Sequence, residues 1–384
     1  MAGLDLVKVA LLSDCYPPRT GGIESQVSDL ARQLRAAGHE VEVFTATPGP
    51  EGQRDGAIED DHGIPVHRMA IRLPGDLPVN PLAPPEVRRR LLDGGFDVAH
   101  VHMGVVSPFA WDMARVTTGI QLPTALTWHC VLDRMTVPMR ATGAVQRWVD
   151  RGAVASAVSG FAAEGVRAVL GAEAPVAVLP NGIDPTVWVP PAGEDAPGPH
   201  RPIRMISAMR FAARKRPGAL VHIIERALAQ LRPGALTLEI VGDGPLYSRV
   251  SHEVERLGLA DVITLPGRVS RAELAERYHR ADVYVSPTRL EAFGIAVLEA
   301  RTAGLAVVGR ADSGVRDVIT DGVSGLLVDS DEAFVEAVVR IVRDDALRTS
   351  IIEHNRSVPP DQVWSRVVDQ AETEYARAIQ KMSR

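Results

Sequence analysis

Apolar positions along the chain gather into short runs separated by amphipathic stretches. VKVALLSD, HEVEVFTA, DVAHVHMG, PTALTWHC and AVASAVS are β-rich runs, and between the first two, from about Glu24 to Ala37, apolar residues recur at helical spacing; a second helix follows AVASAVS. This alternation predicts parallel βαβ units with helices on both faces of a sheet. The rhythm breaks over 189–202, VPPAGEDAPGPHRP, where proline, glycine and acidic residues replace the apolar period, the composition of an interdomain linker. It then restarts: IRMISAMR, a helix from about Pro217 to Leu231, LTLEIVGDG, a helix over Tyr247 to Leu257, VITLPGRV, a short helix over Arg271 to His279, DVYVSPT, LAVVGR and GLLVD. The pattern therefore predicts an α/β protein of two Rossmann-like, doubly wound parallel-sheet domains, 1–188 and 203–361, facing each other across a cleft, with a long helix over 362–384. In such sheets ligands bind beyond the carboxyl ends of the strands, so the cleft is the expected site.

Composition narrows the function. At 384 residues the chain exceeds what one core usually supports. A net charge of −6, with arginine mixed evenly among acids, offers no basic tract for nucleic acid. Cys15 and Cys130 are too few for a disulfide framework, and MAGLDLVKVALLSD holds neither a spanning length of apolar residues nor a cleavage pattern. The expected setting is the reducing cytoplasm.

Chemistry concentrates in RLEAFGIAVLEA, residues 289–300, where Glu291 and Glu299 flank Gly294 in an apolar run. Glu291 falls in a strand-to-helix loop at the carboxyl edge. Glu299 falls on the helix, whose side chains lean back toward its N-terminus, so both acids are expected at one pocket. Between them Phe293, Gly294 and Ile295 offer backbone N–H groups at a positive helix end, where glycine permits close approach of a phosphate. A nucleotide sugar suits both features, with a diphosphate for the helix end and vicinal diols for the carboxylates. Taken alone, the pair fits a loop charge and an exposed helix residue as well.

Other segments add to this. RFAARKRP places Arg210 and Lys215 just after IRMISAMR, two cations able to neutralise a leaving diphosphate, although a solvated basic loop has the same composition. PPRTGGIES puts Gly21 and Gly22 where the first strand gives way to the first helix; alone, they read as a tight turn. His100 and His102 alternate on one strand and share a face, but with His129 and Cys130 they lack a zinc spacing. Asp329 and Asp331 precede a helix, which assigns them to N-capping, so no metal is expected. In IVGDGPL, Tyr247 stands where a dinucleotide fingerprint has its third glycine, which weakens an NAD-dependent oxidoreductase.

The series PPRTGGIES, VSGFAAEGV, VLPNGID, RFAARKRP, IVGDGPL, LPGRV and E-AFGIAVL-E, in this order, resembles the retaining glycosyltransferases of family 4, which have the GT-B fold; among them it is similar to the phosphatidylinositol mannosyltransferases and related glycolipid and N-acetylglucosaminyl enzymes. The resemblance covers nearly the whole chain. It implies that Glu299 binds the nucleotide ribose, Glu291 the donor sugar near its 3-hydroxyl, Arg210 and Lys215 the diphosphate, Gly294 and Ile295 phosphate and sugar through backbone N–H, and Gly22 the phosphate side from the first domain. His129 stands at the family's cleft histidine, and the C-terminal helix crosses back to the first domain. The implied chemistry is hexose transfer with retention from GDP-mannose or a UDP-sugar to a hydroxyl acceptor, lipid-linked or small. No serine or cysteine nucleophile is required, and no G-x-S-x-G motif is present. A nucleotide-sugar epimerase of the same fold and an inactive nucleotide-binding protein are the alternatives from other classes. DRMTVPMRATGAVQRWVDRGA, with Arg134, Arg140, Arg147 and Arg151 among apolar residues, fits either a solvated helix face or peripheral contact at the inner surface of an anionic membrane.

Overall fold

The structure, a computed structural model, describes residues 6–73, 77–191 and 202–383. They divide into two compact units, 1–182 with 362–384, and 183–361. The division falls before the expected boundary at 188 because the turn of helix Pro185–Trp188 packs on helices Arg271–Arg280 and Ile295–Thr302 of the second unit. His279 Nε2 also lies 2.8 Å from the Trp188 carbonyl. Of the linker expected over 189–202, residues 192–201 lie outside the described residues.

The first unit contains β1 (Lys8–Ser13), β2 (Glu40–Thr45), β3 (Ala57–Asp61), β4 (Ile64–Arg68), β5 (Val98–Met103), β6 (Thr124–Trp128), β7 (Val154–Ala157) and β8 (Val176–Val178). They form one sheet in the order β3-β4-β2-β1-β5-β6-β7-β8. Every pairing is parallel except β3 with β4, an edge hairpin that the sequence pattern did not predict. Parallel strands covered on both faces must be apolar throughout. β5 is buried at every position, including His100 and His102.

Helix Trp364–Met382 returns the chain to this unit. It lays Val367, Val368, Ala371, Tyr375 and Ala378, spaced as one helical face, against Val9, Leu30 and Val98. Two polar contacts fix its register: His39 Nε2 lies 3.0 Å from Glu372 Oε1, and His100 Nδ1 3.0 Å from Tyr375 Oη.

The second unit holds β9 (Ile203–Ala208), β10 (Leu236–Val241), β11 (Ile263–Gly267), β12 (Val283–Ser286), β13 (Ala306–Arg310) and β14 (Gly325–Val328), all parallel, in the order β11-β10-β9-β12-β13-β14. The chain winds outward from β9 one way and from β12 the other. Since such crossovers are right-handed, their helices cover opposite faces. Pro217–Leu228 packs with Tyr247–Arg256 and Asp331–Arg343, while Ile295–Thr302 packs with Asp345–Ser357. Local signals set the helix starts, including proline at the head of Pro217–Leu228 and the Ser270/Glu273 capping box of Arg271–Arg280.

Candidate functional site

Winding in opposite directions makes the gap between β9 and β12 the topological switch point of the second sheet. The loops leaving the carboxyl ends of these strands diverge there, and an open α/β sheet takes its ligand in the space between them. The loop after β9 carries Arg210 and Lys215, and the loop after β12 carries Glu291 and Phe293 and leads to Gly294. Lys215 Nζ donates to Glu291 Oε2, in an ion pair whose side chains are 22% and 19% exposed. Arg210 is exposed and makes no ion pair among the described residues.

The sequence reading missed the residue that fixes this arrangement. Arg216 has φ 59°, a left-handed conformation unfavourable without glycine. Its guanidinium grips Asp331 with two hydrogen bonds, of 2.9 and 2.6 Å, and donates to the Pro287 carbonyl at 3.2 Å. Thr288 Oγ1 donates to the Lys215 carbonyl at 3.4 Å. The loops after β9, β12 and β14 are thereby tied together directly behind Lys215. The Arg216 guanidinium holds the Asp331 carboxyl below its usual range. Buried Arg310 stands 3.7 Å from the same carboxylate and binds Asp312 at 2.8 and 2.9 Å. Asp331 is therefore a strut rather than the expected N-cap; Ser330 caps that helix, accepting from Ala333 N at 3.1 Å.

Gly294 is the N-cap of helix Ile295–Thr302, at φ 94° and ψ 58°. The first N–H groups of a helix have no intrahelical partner, and glycine at the cap leaves room for a ligand to approach them. The Phe293 ring is buried, which leaves only its backbone for a ligand. Burial above all pushes the phenols of Tyr278 and Tyr284 upward, and the charge of Glu299 adds to both. Glu291 adds to Tyr284 as well. Tyr284 Oη in turn donates to the Ala208 carbonyl at the end of β9, at 3.1 Å. The structure pairs Lys215 with Glu291 at the switch point, sets Gly294 at the head of the helix that carries Glu299, and adds Arg216 behind Lys215.

In the first unit the corresponding switch point lies between β1 and β5. Gly22 begins helix Gly22–Ala36, whose first turn already holds an anion, Glu24, 3.4 Å from Arg19. His129 follows β6, with its N–H donating to the Met103 carbonyl at 2.9 Å. Its Nε2 lies 2.9 Å from His102 Nδ1, and the His100 and His102 rings pile up with centroids 4.1 Å apart, tilted by 33°. Burial pushes His129 down to about 4 and His100 to about 3, so the stack is neutral near pH 7. His100 is occupied by Tyr375 and, at 2.7 Å, by Thr127 Oγ1, which places it beneath the C-terminal helix. Among the described residues, no group of three or more His, Cys, Asp or Glu side chains is arranged to hold a metal ion.

Residues 20–187 match the model of Glycosyltransferase Family 4, and residues 195–358 that of Glycosyl transferases group 1. A D-inositol 3-phosphate glycosyltransferase of Arthrobacter sp. (strain FB24) is 30% identical over 345 residues, covering 82% of this chain and 79% of that protein. The chain belongs to glycosyltransferase family 4. It is also similar to the phosphatidyl-myo-inositol mannosyltransferase of Mycobacterium leprae (strain TN), 27% identical over 91% of each chain. Solved structures agree on the GT-B fold. Sucrose-phosphate synthase from Thermosynechococcus elongatus has a TM-score of 0.74 at 20% identity, over 96% of this chain and 98% of its own. Anabaena HepE in complex with UDP also has 0.74, at 19% identity, over 95% and 99%. The chain is thus a glycosyltransferase, of the kind that works from a nucleotide-sugar donor.

In this glycosyltransferase the GDG turn serves the site from behind. Asp243 O accepts from Phe211 N, and Phe211 O from Leu246 N, both at 2.9 Å, clamping this turn to the loop of Arg210. A Cβ on Gly242, at φ 131°, would stand 1.9 Å from the Met209 carbonyl oxygen. Gly242→Ala is expected to lower the stability of the second unit by about 2 kcal/mol and to weaken nucleotide binding with it, measured by urea denaturation and titration of the same sample.

The arginine-rich segment of the enzyme folds as two short helices, Thr136–Thr142 and Ala144–Asp150, broken at Gly143. Arg134, Arg140, Arg147 and Arg151 are exposed, whereas Met139 and Trp148 are buried. Of the interleaved apolar residues only Val137 is largely exposed, at 76%. No helix among the described residues is long and apolar enough to cross a membrane.

Proposed function

We propose that this enzyme transfers a hexose, with retention at the anomeric carbon, from GDP-mannose or a UDP-sugar to a hydroxyl acceptor, and that an inositol phosphate or inositol lipid is the first acceptor to try. The names of the relatives support that acceptor class. The observation that carries the reading is the Lys215–Glu291 ion pair at the switch point, on the loop that leads to the Gly294 helix end.

Each group has a task suited to its chemistry. Lys215 and Arg210 neutralise the diphosphate as it leaves, with the N–H groups of Gly294 and Ile295. Side-chain cations and a helix end supply this charge, without a metal ion. Glu299 accepts both ribose hydroxyls, and Glu291 accepts from the hexose hydroxyls. The bond from the anomeric carbon to the diphosphate oxygen breaks on the face where the acceptor oxygen bonds, and the departing oxygen takes the acceptor proton. Gly22 and His129 are assigned to the donor from the first unit. A neutral His129 suits this role, since an imidazolium would repel the positive charge that develops on the sugar ring.

A thermal-shift titration with UDP, GDP and their sugar conjugates tests the reading, because a ligand specific to the folded state raises the melting point with saturation. One nucleotide family is expected to produce a clear shift; no shift with any overturns the assignment. Glu299→Ala should weaken the productive nucleotide by about 1–3 kcal/mol, the cost of leaving its hydroxyl donors without an acceptor.

A further inference from the structure

We propose that Glu291 also acts as the resting counter-ion of Lys215, and that this pairing makes the site favour a nucleotide sugar over the bare nucleoside diphosphate that remains after transfer. The inference rests on the donor reading above and assigns to its ion pair a role in discrimination.

The backbone of Lys215 is held by Thr288 and by the Arg216–Asp331 grip, so rearrangement is confined to the lysine stem and the Glu291 carboxylate. Apart from Arg210, which the donor reading places on the diphosphate, the nearby cations have other commitments. Arg216 is on Asp331, Arg310 on Asp312, and Arg289 lies 3.3 Å from Asp312. When a diphosphate draws Lys215 away, Glu291 is left as a half-buried anion beside the incoming phosphates.

The two ligands then differ. An intact donor brings hexose hydroxyls, which donate to the released carboxylate and replace the lysine. A nucleoside diphosphate brings phosphate charge and no such donors, so Glu291 loses its partner and faces a like charge. The penalty falls on the product and spares the substrate. By linkage, anything that removes the Glu291 charge must strengthen the hold of Lys215 on a diphosphate by the same coupling.

The test is isothermal titration calorimetry of the full chain with UDP, GDP and their sugar conjugates. Glu291→Gln keeps the shape and removes the charge. It is expected to tighten nucleoside diphosphate binding on the order of five- to tenfold while weakening the sugar conjugate. Product inhibition should deepen in parallel. In a Lys215→Met background the gain should largely vanish, because no pair remains to be broken. Glu291→Ala gives the same sign should the glutamine variant not fold. If the wild type binds a nucleoside diphosphate and neither variant binds it more tightly, the proposal is overturned and the donor reading stands. An equal gain in the Lys215→Met background means that Glu291 repels phosphate without acting through Lys215, and also overturns it. If the wild type binds no nucleotide at all, the donor reading fails and this inference falls with it.

Discussion

Lys215→Met is expected to lower kcat by about 10²- to 10³-fold while the second unit stays folded. Methionine keeps most of the stem and removes only the charge. Negative charge grows on the diphosphate as the sugar departs, so the ammonium is worth more in the transition state than in the bound donor, and the loss should fall on kcat more than on KM. A fold defect would look different. The loop is fastened by Arg216, Asp331 and Thr288, none of which contacts the substituted side-chain end. With the partners about one-fifth exposed, the lost ion pair itself should cost about 1 kcal/mol of stability. Lys215→Arg should recover part of the rate, since it restores charge with a different reach. Steady-state kinetics beside a melting curve decide the matter: a loss of less than about tenfold with an unchanged melt would remove Lys215 from the chemistry.

The residues that a sequence reader can find here share a property: they sit at fixed offsets from an apolar strand. Arg210 and Lys215 follow β9, Glu291 follows β12, and Glu299 comes at helical spacing behind Gly294, so period and punctuation were enough to bring them to one sheet edge. Arg216 and Asp331 are different. They are 115 residues apart, and their contact depends on a left-handed backbone at a non-glycine residue, which no periodicity announces. Tyr284 lay hidden for the opposite reason, being one more apolar residue in a buried strand until its hydroxyl is seen donating to the Ala208 carbonyl at the end of β9. The strand alternation was legible over most of both units. The hairpin β3–β4 was not, because AIEDD at the sheet edge is too polar and too exposed to read as a strand.

Acid should destabilise the first unit well above the ordinary carboxylate range. The histidines of the stack have ordinary values of 6.5, and burial lowers His129 to about 4, His100 to about 3 and His102 well below its ordinary value. Between 6.5 and about 4 the unfolded chain takes up protons that the folded stack refuses, so stability is complete above pH 6.5 and drains away as pH falls. His129 alone accounts for about 3 kcal/mol across that interval, at roughly 1.4 kcal/mol for each pH unit. One neighbouring group works in the opposite direction. Asp14 accepts from Phe109 N and Ala110 N at 3.1 and 3.2 Å, but burial prevails and raises it from 3.8 to about 7. Folding therefore favours its protonated form, and acidification from pH 7 adds stability through it. Three histidine protons gained on unfolding against one aspartate proton lost still leave a net uptake of about two. Urea midpoints at intervals from pH 7 to 4.5 should fall with that slope. His100→Gln, whose amide can still reach Tyr375 and Thr127, should flatten it by about one proton, and Asp14→Asn should steepen it. A midpoint that stays level over this range would mean that the stack accepts protons in the folded state, and would take away the neutral His129.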